Sequence, residues 1–327
     1  MISFIIIGKN EGWKLSQCLE SVYKTIISSK LTTYEVIYVD SNSSDDSIVR
    51  AQKFHPINII KLTGDCNAAI ARNSGAKESS GDILFFIDGD MEIQSNFLPL
   101  ILNKNQSLTY PFISGQYVNY FYNSKNELMQ KLNYDNSLSS GDQFKSVTGG
   151  LFIIETKYWN LLGGMKNKFK MGEDIDFGLR MSNKGIKLLR KKEVLAIHHT
   201  VSYKDNKRMW IMLLKSNAEL YAKSLLYREH LININVYSRL IRHDYSLIVL
   251  VISIVLFFLI GYLSFLLFVS IVILRSIKTS KLNPSRIISF IGYFMLRDFL
   301  VLLGFFLFFP KKRFNIKYKI IYMLGLQ

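Results

Sequence analysis

Thirty consecutive residues, Tyr245 to Leu274, carry no charged side chain. About 20 apolar residues suffice for a helix to cross hydrocarbon, so this run predicts a transmembrane helix. A second apolar stretch, Ile287 to Phe309, predicts another span, with Arg297 and Asp298 in its middle. Those two charges must pair within a bundle or mark a break in a re-entrant segment. Two spans return the basic tail from Lys311 to the side on which the chain entered. The loop between them carries Arg275, Lys278, Lys281 and Arg286, which opposes the positive-inside rule. Ahead of the runs, residues 204–244 interleave Trp210, Leu213, Leu214, Leu220, Tyr221 and Leu225 with Lys207, Arg208, Lys215, Lys223 and Arg228. Such basic amphipathic helices suit a headgroup layer, or alternatively pack against a soluble domain. The net charge of +16 is thereby explained, because its cations flank apolar runs, and a lipid membrane is expected as partner in place of nucleic acid.

Residues 1–203 have a different grain. Ile2–Ile7, Tyr34–Val39, Ile57–Leu62 and Ile83–Ile87 read as strands, and between them Glu11–Ser28, Ile48–Phe54 and Asn67–Glu78 read as helices. Strict alternation implies right-handed crossovers and a parallel sheet. The N-terminal apolar run has no basic leader and breaks within a few residues, so it is expected to be a first strand and not a signal peptide. Cys18 and Cys66, without metal-type spacing, suggest neither a disulfide framework nor a zinc site. In the stretch GDILFFIDGD a buried strand ends in Asp88, Gly89 and Asp90. Ligands of open α/β sheets bind at strand carboxyl ends, where Glu11 and Asp40 also fall, so acids from distant sequence are expected to meet there. Further along, Asn96–Ile101 reads as a helix, Phe112–Tyr122 as a strand, Asn119–Asp142 as loops or a lid, and Val147–Ile154 as a strand led by Gly149 and Gly150. A missing side chain at those glycines lets backbone approach a ligand closely.

The pieces SFIIIGKNEG, YVDSNSSDDS, ARNSGAKESSGDILFFIDGD, GGLFIIETKYWNLLGGM and GEDIDFGLR, in this order over about three-fifths of the chain, resemble glycosyltransferase family 2. The resemblance implies an α/β GT-A fold, the Rossmann-like fold of nucleotide-diphospho-sugar transferases. It departs at Ile7, Gly8 and Lys9, where many members have Pro, a small residue and Tyr. By the resemblance, Glu11, Asp40, Arg72 and Asp88 contact the nucleotide sugar, and Asp90, with Asp88 and His198, holds Mg²⁺ or Mn²⁺. For Arg72 the competing reading is a charge on a helix surface. His199 is the fallback for His198, since adjacent strand residues face opposite ways.

Transfer to an alcohol requires removal of its proton, and a carboxylate at a helix start can be aimed at that hydroxyl. Asp174 is the expected base and Glu173 the runner-up. Asp176 and Arg180, four apart, read as a surface ion pair with a structural role. The expectation is therefore a membrane-anchored, metal-dependent, inverting glycosyltransferase. Its donor would be a nucleotide-diphosphate sugar and its acceptor a lipid-linked saccharide in cell-surface glycan synthesis. The resemblance places it at a bacterial plasma membrane with the catalytic domain facing the cytoplasm. A processive polysaccharide synthase is disfavoured because its Gln-x-x-Arg-Trp signature is absent, NKRMW being the nearest approach. A non-catalytic scaffold is disfavoured by intact Asp88, Asp90 and Asp174.

Overall fold

The apolar runs of the first half become strands because each is covered on both faces, which is why they lack the alternation of a half-exposed sheet. In the computed structural model, which describes residues 1–123, 125–201, 206–280 and 283–322, β1 (Ile2–Gly8) is buried along its whole length. There follow α1 (Trp13–Ser28), β2 (Tyr34–Asp40), α2 (Ser47–Ala51), β3 (Asn58–Leu62), α3 (Ala68–Lys77) and β4 (Ile83–Asp88), in the alternation read from sequence. Phe4 and Ile6 pack with Leu15 and Leu19 of α1, whereas Ile5 and Ile7 pack on the opposite face with Ala69 and Ile70 of α3. Strands β3, β2, β1 and β4 are parallel neighbours. Their register sets Gly8 beside Asp40 and Ile7 beside Asp88, so these acids lie level at one edge.

Past β4 the sheet becomes mixed. The elements are β5 (Met91–Ile93), α4 (Leu98–Ile101), β6 (Phe112–Tyr122), β7 (Leu128–Asn133), β8 (Gln143–Lys145), β9 (Phe152–Glu155), α5 (Thr156–Leu161), α6 (Glu173–Asn183) and β10 (Leu188–Thr200). The polar segment 119–142, expected as loops or a lid, instead contains β7, paired antiparallel along the end of β6. The strand expected over 147–154 is shorter and starts at Phe152. Asp176 is fully buried and not at the surface: its carboxylate accepts from Arg180 Nε at 2.8 Å, and Arg180 also donates to the carbonyls of Leu162 and Gly164. The pair thus ties the 162–164 turn to α6, a structural role in a buried place.

The chain divides into two units, one of residues 1–202 with 311–327, the other of residues 203–310. The tail from Lys311 belongs to the first unit, where Tyr318–Tyr322 forms β11, antiparallel to β3. The main path of the sheet is β11-β3-β2-β1-β4-β9-β6-β10-β5, with β7 paired to β6 and β8 to β10 off it.

The second unit contains α7 (Asn206–Leu214), a π-helical turn at Leu220–Leu225, α8 (Leu226–Glu229), α9 (Ile234–His243), α10 (Tyr245–Ile260), α11 (Ser264–Ser280) and α12 (Pro284–Leu307). The side chains of Lys207 and Arg208, and the whole of Lys281, lie outside the described residues. Two stretches, Tyr245–Ser280 and Pro284–Leu307, are long and apolar enough to cross a membrane. The first is not one rod, as the reading of Tyr245–Leu274 supposed. At Gly261 the backbone takes φ +61°, which costs glycine nothing, and the helix folds back on itself. In the resulting hairpin Arg275 Nη1 donates to Ser246 Oγ at 2.6 Å. Arg297 and Asp298 pair, with Arg297 Nε donating to Asp298 at 2.9 Å, and fully buried Asp244 receives Lys223 at 2.9 Å and Arg297 at 3.3 Å. Charges that read as a mid-membrane liability are thus mutually neutralised.

Candidate active site

A cleft of about 470 Å³ opens at the carboxyl edge of β1 and β4, lined by Glu11, Arg72, Asp88, Asp90, Glu173 and Asp174 among others. Six of the acidic and basic positions singled out in sequence therefore share one cavity. Its rim includes two exposed cations, Lys9, one of the positions that depart from the family pattern, and Lys170, not singled out above.

Arg72 is not a helix-surface charge. It is 1% exposed, and its guanidinium donates to Asp88 at 2.6 Å and to Glu173 at 2.9 Å. The fork shape of guanidinium suits two carboxylates at once. Gly150 belongs to this clamp: a Cβ there would sit 2.0 Å from Asp88 Oδ2. The missing side chain there lets the backbone approach Asp88 closely.

With Glu173 held by Arg72, its neighbour is left open. The Asp174 carboxylate makes no hydrogen bond among the described residues and lines the cleft, while its backbone carbonyl is fixed by the Thr148 hydroxyl at 3.0 Å. Burial, reinforced by the Asp174 charge and opposed by Arg72, pushes the Glu173 carboxyl up to about 7.

On the other side of the cleft, His198 Nε2 lies 3.3 Å from the Asp90 carboxylate. Its Nδ1 meets Asn119 Oδ1 at 2.8 Å; an amide oxygen only accepts, so Nδ1 carries a proton, while Nε2 donates to Asp90 when the ring is protonated and presents a lone pair when it is neutral. Burial opposes charging of this imidazole, but the hydrogen bond and charge of Asp90 outweigh it and raise its pKa. His199 points the other way, to Tyr122 at 2.9 Å and Glu92 at 3.3 Å, edge-on to Trp13. Burial, only partly offset by Glu92, lowers its pKa. Asn119 was missed in sequence, because a strand Asn 79 residues before its partner leaves no local signal.

Asp40 reaches the same edge but is fully buried, accepting from the Ser43 N–H at 2.8 Å and the Tyr38 hydroxyl at 3.1 Å. It orders the loop whose Ser41 lines the cleft, and does not line it itself. Glu11 sits against Gly89; burial first, then repulsion from Asp90, pushes its carboxyl up to about 7. Among the described residues no three His, Cys, Asp or Glu side chains close around a single point.

Three of these pKa shifts share one sign, and that of His199 is opposite. Glu11 and Glu173 keep protons in the folded protein that an unfolded chain releases between the ordinary 4.5 and about 7. His198, raised by Asp90, likewise favours the protonated fold and loses that contribution as pH rises past its folded value. The cation-free protein is thus expected to lose stability from pH 5 to pH 8. Thermal unfolding in detergent checks this: Tm should fall over the window, and less steeply with saturating Mn²⁺. A Tm that is flat or rises without metal contradicts it.

The family model for glycosyl transferase family 2 matches residues 3–165, the stretch that builds β1 to β9 and carries Glu11, Asp40, Arg72, Asp88 and Asp90. The chain belongs to glycosyl transferase family 2. This transferase is 27% identical over 213 residues to Glycosyltransferase AglE of Haloferax volcanii, a match covering 60% of this chain and 66% of that one. It is 28% identical over 127 residues to the poly(ribitol-phosphate) beta-N-acetylglucosaminyltransferase TarP of Staphylococcus aureus, covering 36% of each. The chain thus spans two-thirds or less of the length of these relatives. Its fold is like that of the GT-A mannosyltransferase PcManGT of Pyrobaculum calidifontis, solved with GDP-Man and Mn²⁺. The TM-score is 0.58 at 13% identity, over 92% of this chain and 86% of that one. The α/β GT-A architecture read from the sequence is the one the transferase has.

Proposed function

We propose that this transferase moves a glycosyl group from a nucleotide-diphosphate sugar to a hydroxyl of a saccharide acceptor, with inversion at the anomeric carbon. The observation that carries the reading is the division of labour at the cleft: Arg72 holds Asp88 and Glu173, and Asp174 is left open to the cavity. Asp174 takes the proton of the acceptor hydroxyl. The freed oxygen bonds to the anomeric carbon on the face opposite the nucleotide diphosphate, whose bond to that carbon breaks with the electron pair leaving on phosphate oxygen. Lys9 and Lys170 at the rim attract the anionic donor.

A Mg²⁺ or Mn²⁺ ion held by Asp90 and His198 would neutralise charge on the leaving diphosphate. The donor set fits, since a carboxylate and an imidazole fixed through its other nitrogen are a common first and second shell. Asp88 in this reading is a positioning group tied to Arg72. The second unit, with its long apolar helices, supports a membrane-held enzyme and an acceptor carried on lipid, such as a lipid-linked saccharide for a cell-surface glycan. A cytoplasm-facing site at a plasma membrane would give access to soluble nucleotide sugars.

The test is donor turnover by the purified full chain over a panel of nucleotide sugars, with Mn²⁺, Mg²⁺ or chelator. Hydrolysis or transfer of one donor supports the reading, and none with any donor favours a non-catalytic scaffold. Replacing Asp90 by Asn should weaken Mn²⁺-dependent binding of the nucleotide diphosphate by at least about 10-fold, the scale seen even when outer partners of metal sites are removed. Calorimetry that finds unchanged affinity removes Asp90 from the cation site.

A further inference from the structure

We propose that the α10–α11 hairpin enters the bilayer from the side of the first unit, turns round within the hydrocarbon and returns, and that α12 does not cross. The second unit would then be anchored in the membrane without spanning it.

Four observations converge. The first is where charge lies on the hairpin. From Tyr245 to Leu274 there is none, and the nearest charged residues to the tip along the chain, Asp244 and Arg275, are both at its base. The tip presents Phe258 and Tyr262, each 83% exposed, with Leu259 and Leu263 beside them. A tip that emerged on the far side would hold these groups in water.

Limb length agrees. With 16 and 17 residues, α10 and α11 are roughly 24–26 Å long at 1.5 Å per residue, against a hydrocarbon core of about 30 Å.

The third observation fixes the level of α12. Asp298 accepts from the Ser246 hydroxyl, and Arg275 donates to the same Ser246, so the middle of α12 lies at the base of the hairpin. Beyond it, Phe299–Leu307 runs beside the hairpin, Phe299 against Phe268, for only about 14 Å, too short to cross.

The fourth is parity. The chain leaves the first unit after residue 202 and rejoins it at residue 311, where β11 pairs with β3. Both flanks of the second unit therefore belong to one folded body, and the number of crossings between them must be even. Three crossing helices are excluded and none is allowed. This arrangement also removes the conflict with the positive-inside rule. In it the exposed Arg242, Lys278 and Arg286 all stay on the side from which the hairpin enters, so no basic loop is carried across.

Cysteine labelling of the full chain in native membranes tests the proposal, independently of any donor or acceptor. The background is Cys66→Ser, Cys18 being buried, with the unsubstituted background as control. Ser139→Cys reports the side of the first unit, Ser285→Cys the base of the hairpin and Tyr262→Cys its tip. With a membrane-impermeant maleimide applied to sealed vesicles of either orientation, Ser285→Cys should label only from the side that labels Ser139→Cys. Tyr262→Cys should label from neither side until detergent is added. Labelling of Ser285→Cys from the opposite side overturns the proposal, because α11 then crosses. Labelling of Tyr262→Cys from the opposite side overturns it equally, because the hairpin then traverses the bilayer.

Discussion

Replacing Asp174 by Asn is expected to lower glycosyl transfer by about 10²–10⁴-fold, the usual contribution of a positioned general base, with donor affinity almost unchanged. Asparagine keeps the size of the side chain and the carbonyl contact to Thr148, so only the proton acceptor is removed. Single-turnover rates beside calorimetric donor binding separate the two effects. Glu173→Gln is the informative partner, because its neutral amide still accepts from Arg72 and fills the same space. It should cost far less turnover than Asp174→Asn. The reverse ranking makes Glu173 the base, a role for which a carboxyl pushed up to about 7 is chemically suited.

The largest expected loss of stability follows Arg72→Met. Arg72 is 1% exposed and bridges two acids, and removing one member of a buried ion pair typically costs roughly 3–5 kcal/mol because the remaining charge has lost its partner. At about 2–4 °C per kcal/mol for a unit of this size, Tm should fall by about 6–20 °C. The loss should be smaller at pH 5, where protonation relieves Glu173, and Arg72→Met with Glu173→Gln should recover part of it. A Tm within error of the parent at pH 8 would show that the clamp carries no stability.

These residues differ in how far they could be seen in sequence. Asp88 and Asp90 were legible because a buried strand needs an apolar run, and acids placed just past one have few structural reasons to be there. Strand alternation then brought Glu11, Asp40 and Asp88 to one edge without any tertiary knowledge. The pairing of Arg72 with Glu173, 101 residues apart, was not legible, since a guanidinium on a helix reads the same whether it faces water or two carboxylates. His198 and His199 were ambiguous by construction: strand geometry says that they diverge, but only the position of β6 says which one meets Asp90. Gly261 illustrates another limit. Hydropathy measures what a segment is soluble in and says nothing of its direction, so a hairpin inside hydrocarbon and a single long rod score alike. The one glycine in the run was the signal available.

Strand β11 has a consequence for the order of events during synthesis. Its partner β3 emerges from the ribosome some 250 residues earlier, as the separation of Asp65 and Asn315 records. At about 5–20 residues per second, the edge of β3 then stands bare for roughly 10–50 s while the apolar helices are being made. Unpaired edges recruit other strands. The nascent chain therefore carries a sticky flank through the interval in which its most apolar helices emerge, and capture of the tail by β3 is the step that ends this exposure.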